Sequence, residues 1–165
     1  MKVLLKNQQK RIVINPERIK KVLKKAFKLL NLQKAELSIL FVNDRRMRAL
    51  NRQYRGVDRT TDVLAFPQQE GYKLKVASYR LKNKEDFLRN SLPFTHNSPL
   101  VLGDIVINIH KAKCQANEFG LTFYDELNRL LIHGLLHLLY YDHEKSRYHN
   151  QKMRKKEKEL LNRIS

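Results

Sequence analysis

"IHGLLHLLYYDHEK", Ile132 to Lys145, sets His133, His137 and His143 within one eleven-residue window. Positions 133 and 137 are four apart, so on a helix they share a face, about 40° apart in rotation and roughly 6 Å apart along the axis. Two imidazoles so placed can hold one ion. His143 is different, because on an uninterrupted helix it would lie about 15 Å beyond His133, out of reach of an ion with Zn–N bonds of about 2.0–2.1 Å. For His143 to be a ligand, the helix must end between Leu139 and Asp142 and the chain must fold back. "LLYYDH" does leave the aliphatic run there, and Asp142 suits a turn, but no glycine marks the break.

Two readings stand side by side. Histidines on an apolar helix are often satisfied core residues. A third one at this offset, in a segment where unpaired imidazoles are costly to bury, favours a metal site. Three His ligands leave the fourth tetrahedral position open, the pattern of a catalytic zinc, although imidazoles also suit nickel, copper and iron. His96, His110 and His149 have no such company and read as loop or surface residues.

Outward from the window, a helix is predicted from Thr122 to Leu139, with Thr122 and Asp125 as an acidic capping box. Another precedes it, Lys111 to Phe119, after a strand in "PLVLGDIVINI", Pro99 to Ile109. A last helix follows from Arg147 to Arg163, with Met153, Leu160, Leu161 and Ile164 as its apolar side. Upstream, a short strand is expected at Arg11 to Ile14. Asn15 and Pro16 then open a helix whose Ile19, Val22, Leu23, Phe27 and Leu30 face inward and whose lysines face out. A strand at Glu36 to Val42, a helix capped by Asn43 or Asp44 and running to Tyr54, and a strand in "TDVLAFP" complete the set.

Strands early and helices late predict an α+β fold. The expectation is one domain over residues 1–165, a small mixed sheet packed by helices, with a metzincin-like HxxxHxxxxxH metal site on a buried helix and the turn after it. Residues 68–98 read as a surface insertion, with a hairpin around Leu74 to Leu81.

Charge points to the partner. Lys and Arg number 34 against 16 Asp and Glu, a formal charge of +18, and nucleic acid is the commonest polyanion such a protein meets. Arg45, Arg46, Arg48, Arg52, Arg55 and Arg59 crowd "RRMRALNRQYRGVDR" and form a candidate RNA-backbone patch, which predicts steeply salt-dependent binding. The basic final helix either extends that patch or is a solvated face. A single cysteine, Cys114, rules out an internal disulfide, fits a reducing compartment and is expected to be packed. No apolar run approaches the roughly 18 residues of a membrane span. A soluble cytoplasmic protein with no membrane partner is the expectation.

"HGLLHLLYYDH" resembles the signature H-G-x-L-H-L-x-G-Y-D-H of the YbeY family of bacterial rRNA maturation factors. "YRGVDRTTDVLAFP", Tyr54 to Pro67, and "LGDIVI", Leu102 to Ile107, are similar to that family's other two recurrent blocks, in the same order. The resemblance covers most of Glu36 to Glu144. It implies a zinc ion held by His133, His137 and His143, single-strand-specific endoribonuclease activity in ribosomal RNA maturation and ribosome quality control, and partnership with ribosomal RNA and ribosomal particles. It also places the family's functionally important arginine at Arg55. Two departures stand out. Tyr140 occupies the family's glycine position and, since a non-glycine residue with positive φ is uncommon, a break of another geometry is expected. The segment Gln68 to Ser98 is longer than the family's usual one.

The window also overlaps the metzincin protease pattern, but those enzymes need a glutamate after the first histidine as general base. Here that position is Gly134. For phosphodiester cleavage, the metal would polarise a phosphate oxygen or activate water while Arg55 contacts the phosphate. The competing reading of Arg55 is an ion pair with Asp58 or Asp62. The competing reading of the whole chain is a metal-stabilised RNA- or ribosome-binding assembly factor with little catalysis of its own.

Overall fold

The structure, a computed structural model, describes residues 1–68, 100–141 and 146–164. Among the described residues, four strands form one mixed sheet in the order β1-β2-β4-β3. They are β1 (Lys2–Asn7), β2 (Ala35–Val42), β3 (Val63–Pro67) and β4 (Leu100–Asn108). β1 and β4 flank β2 in parallel, and β3 runs antiparallel to β4 at the edge. This agrees with the predicted α+β class.

Parallel neighbours require crossovers, and helices supply them. The Asn15 side chain accepts from the backbone N–H of Glu17 and Arg18, and Pro16 opens α1 (Pro16–Leu29), which carries the chain from β1 to β2. Asn43, rather than Asp44, caps α2 (Asp44–Arg55) by accepting from Arg46 N. After β4 come α3 (Ile109–Glu118), α4 (Phe123–Leu138) and α5 (Arg147–Ile164). The predicted capping box is present in full, Thr122 and Asp125 each accepting from the other's backbone N–H.

The sheet has two unequal cores. Inward residues of α1, α4 and α5, among them Phe27, Leu131 and Leu160, pack with Leu37, Ile39, Ile105 and Ile107 into the large one. Under α2 a smaller cluster joins Val42, Met47, Leu50, Leu64 and Val106. Burial on both faces explains why β2 and β4 read as nearly continuous apolar runs.

Two expectations need correction. Arg11 to Ile14 is not a strand, because the Gln9 side chain closes a turn there: its Oε1 accepts from Arg11 N and Ile12 N, and its Nε2 donates to Ile12 O. The edge strand is Lys2–Asn7 instead, and only Val3 and Leu5 of it are even partly buried, so its apolar signal is faint. Cys114 is exposed rather than packed, since α3 turns Ala112 and Ala116 to the core and residue 114 the other way. The hairpin expected at Leu74 to Leu81, and all but Gln68 of the proposed insertion, lie outside the described residues. No helix among the described residues is long and apolar enough to cross a membrane.

Candidate active site

His133 and His137 project from α4, and that helix lies unusually close to the sheet. A Cβ built on Gly134 would stand 2.8 Å from a methyl of Ile105 on β4, which is wholly buried. The glycine is thus required for packing, and the glutamate of the protease pattern has no room there.

At its end α4 does what the histidine spacing demands. Leu139 is the C-cap, Tyr140 N donates to His137 O at 2.9 Å, and Tyr141 N donates to Leu136 O at 3.0 Å. This pair of bonds is a Schellman motif, which needs a left-handed residue between them. Tyr140 supplies it, with φ +61. The expectation of a different break is therefore overturned: the tyrosine adopts the conformation a glycine would. α1 and α3 close with the same two bonds around Asn31 and Gly120. A paired comparison reads the backbone cost, because Tyr140→Gly and Tyr140→Ala both remove the ring and differ by the Cβ alone. In urea unfolding the glycine variant is expected to be the more stable by about 1–2 kcal/mol; equal stability would refute a strained turn. His143 itself lies outside the described residues.

The two imidazoles meet. Their Nε2 atoms are 3.1 Å apart, close to the roughly 3.3 Å that separates two nitrogens on a tetrahedral ion with bonds of about 2.05 Å. His133 Nδ1 lies 3.3 Å from Glu157 Oε2 on α5. A carboxylate there keeps the proton on Nδ1 and leaves the Nε2 lone pair for a cation, the usual support of a metal-binding histidine. The donor set thus fits a metal, although among the described residues no group of three candidate ligands closes around one point.

Behind His133 runs a charged chain. Glu157 Oε1 is 3.8 Å from Arg129 Nη1, and Arg129 donates two hydrogen bonds, at 2.6 and 2.8 Å, to Glu126, which is fully buried. The hydrogen bonds that Arg129 donates to the Glu126 carboxylate stabilise its guanidinium and hold its pKa above the usual arginine value, against the opposing effect of burial. None of these three residues was singled out in the sequence. The signal existed: Glu157 falls between Met153 and Leu160 on an apolar stripe, and Glu126 is seven residues before His133 on its face of α4.

The histidines open into a cleft of about 720 Å³, lined also by Tyr54, Arg55, Arg59, Asp62, Arg129 and the strand Val63–Pro67. Arg55 ends α2, where Gly56 turns the chain at φ +69. Asn51 holds the following loop by donating to Arg59 O at 2.7 Å. Buried Asn108 ties the far side, its Nδ2 donating to Asp44 Oδ1, Thr60 Oγ1 and Thr61 O. Burial would raise the Asp62 carboxyl, but hydrogen bonds from Gln115, Thr61 and the backbone N–H of Val63 outweigh it and hold its pKa below the ordinary value.

Of the six arginines read as an RNA patch, Arg55 and Arg59 line the cleft. Arg45, Arg46, Arg48 and Arg52 are exposed along α2, away from the cleft lining among the described residues. Arg48 makes a bidentate pair with Asp58, at 2.9 and 2.8 Å. Asp62, the other candidate partner for Arg55, takes its hydrogen bonds from Gln115, Thr61 and Val63. His110 pairs with Asp44 at 3.5 Å and His149 with Ser146, so neither joins the histidine pair.

Comparison with known proteins finds the family model of Endoribonuclease YbeY matching residues 4–165. A protein called Endoribonuclease YbeY from Sulfurihydrogenibium sp. is 41% identical over 150 residues, 84% of this chain and 82% of the relative. One of the same name from Aquifex aeolicus is 34% identical over 99% of this chain and 92% of its own. The fold matches a Thermotoga maritima protein solved in solution, with a TM-score of 0.62 and 24% identity over 98% of this chain and 88% of that one.

Proposed function

Because the chain belongs to the Endoribonuclease YbeY family, we propose that it is a single-strand-specific, zinc-dependent endoribonuclease acting in ribosomal RNA maturation and ribosome quality control in the cytoplasm. The observation that best supports this is the pair of Nε2 atoms 3.1 Å apart in a cleft lined by three arginines. The relatives' description as endoribonucleases favours catalysis over the assembly-factor reading.

His133 and His137, with His143 completing the set, would hold one Zn²⁺. When bound, the ion supplies Lewis-acid stabilisation of the charge that gathers on a phosphate oxygen during cleavage. The remaining work falls to the chain. Glu157 orients His133, and the planar fork of Arg55 offers two charge-assisted hydrogen bonds to the phosphate. Arg59 adds positive potential at the cleft, and Arg45, Arg46, Arg48 and Arg52 extend it along α2. Arg48 contributes least, because Asp58 already neutralises it.

The test pairs metal analysis of the purified protein with cleavage of single-stranded RNA. The expected result is one zinc per chain and cleavage that His137→Ala abolishes with the circular-dichroism spectrum unchanged. Zinc-loaded wild type that leaves RNA intact would return the protein to the assembly-factor class. Undiminished cleavage by Arg55→Lys would remove the guanidinium fork from the mechanism. A 2′,3′-cyclic phosphate on the product would identify the RNA's own 2′-hydroxyl as nucleophile.

Glu157 yields a separate prediction. Glu157→Gln keeps the shape but loses the charge that fixes the His133 tautomer, and zinc affinity is expected to fall about 10- to 100-fold. Competition with a chromophoric chelator reads this directly. Unaltered affinity would mean that the 3.3 Å contact does not support the ion.

A further inference from the structure

Two aromatic side chains line the cleft beside its cations, and the reading above gives them no task. Tyr54 is the penultimate residue of α2 and Phe66 belongs to β3. Their rings meet edge to face, with centroids 5.0 Å apart at 63°. Phe66 is anchored beneath, packed on the cluster of Val42, Met47, Leu50, Leu64 and Val106. Tyr54 is 58% exposed.

An aromatic ring braced by its neighbour yet open to solvent is a ready surface for a flat, apolar, π-bearing group. A nucleobase is such a group, and base–aromatic stacking tolerates any sequence because every base has a π-face. The adjacent residue is Arg55, so one turn of chain offers a ring for a base and a guanidinium for a phosphate. The +18 net charge favours a polyanionic strand as occupant. In a duplex the bases are already stacked on one another, whereas an unpaired base can splay onto a protein ring.

We propose that Tyr54, braced by Phe66, forms a stacking subsite for one unpaired nucleobase of the RNA strand in the cleft. The subsite rests on the endoribonuclease reading and deepens it: it selects single-stranded over paired RNA without reading sequence.

The experiment measures fluorescence anisotropy of the zinc-loaded full chain with a short 2′-O-methyl RNA, single-stranded and annealed to its complement. Wild type, Tyr54→Ala and Tyr54→Phe are compared, with cleavage of unmodified RNA by wild type run alongside. Tyr54→Ala is expected to weaken single-strand binding roughly 5- to 100-fold, with Tyr54→Phe within about twofold of wild type and duplex binding unchanged. Unchanged single-strand affinity in Tyr54→Ala, equal losses on single strand and duplex, or a Tyr54→Phe loss as large as that of alanine would each overturn the subsite. If wild type cleaves and binds RNA while Tyr54→Ala binds equally well, the subsite alone is wrong. If wild type does neither, the endoribonuclease reading falls and takes the subsite with it.

Discussion

Arg129→Ala is expected to destabilise the folded chain by about 3–5 kcal/mol, because it strands a buried carboxylate. Glu126 has no exposed surface, and the two hydrogen bonds that satisfy it come from Arg129. Domains are typically stable by only about 5–15 kcal/mol, so the loss is a large share of the whole. For a chain of this size it should lower the midpoint of thermal unfolding by roughly 10 °C. The double variant Arg129→Ala with Glu126→Leu removes the stranded charge along with its partner and should recover most of the loss. An Arg129→Ala protein within about 1 kcal/mol of wild type in urea would show that Glu126 finds another way to be satisfied.

Gly103→Ala is the second large effect. Along β4, Glu36 of β2 faces Val101 while Leu37 faces Gly103, so Leu102 is the extra residue of a bulge. Gly103 has φ +133, and a Cβ there would stand 2.1 Å from the Phe66 carbonyl oxygen and 3.0 Å from Gln68 N. Both obstacles are backbone, which cannot rotate away. Strain and overlap together are expected to cost about 3 kcal/mol or more. Among the described residues β3 is an edge strand paired only to β4, and it forms one wall of the cleft, so its amides should lose protection from hydrogen exchange before those of β2. Uniform loss across the sheet would contradict this.

What the sequence disclosed and what it hid divide along a physical line. Signals carried by neighbours in the chain were legible: the Asn15–Pro16 start, the Thr122–Asp125 box, and the shared face of His133 and His137. The need for a turn after Leu139 also followed from rise per residue alone. Its geometry did not, because left-handed backbone is normally announced by glycine, and here a tyrosine adopts it. Partnerships between distant segments stayed hidden. Glu157 is 24 residues from His133, in a helix whose charge reads either as an extension of the basic patch or as a solvated face. Lys2–Asn7 became a strand only because β2 offers it an edge.

Glu157 also has a consequence in time. A polypeptide emerging from the ribosome delivers α4 first and α5 afterwards, so His133 and His137 can come together well before the carboxylate that orients one of them exists. Until α5 folds against α4, the pair lacks its proton-holding partner and Arg129 keeps its hydrogen bonds to Glu126 without the Glu157 carboxylate beside it. The candidate cation site is thus complete only once α5 has folded against α4, finished by that later helix rather than by the helix that bears the histidines.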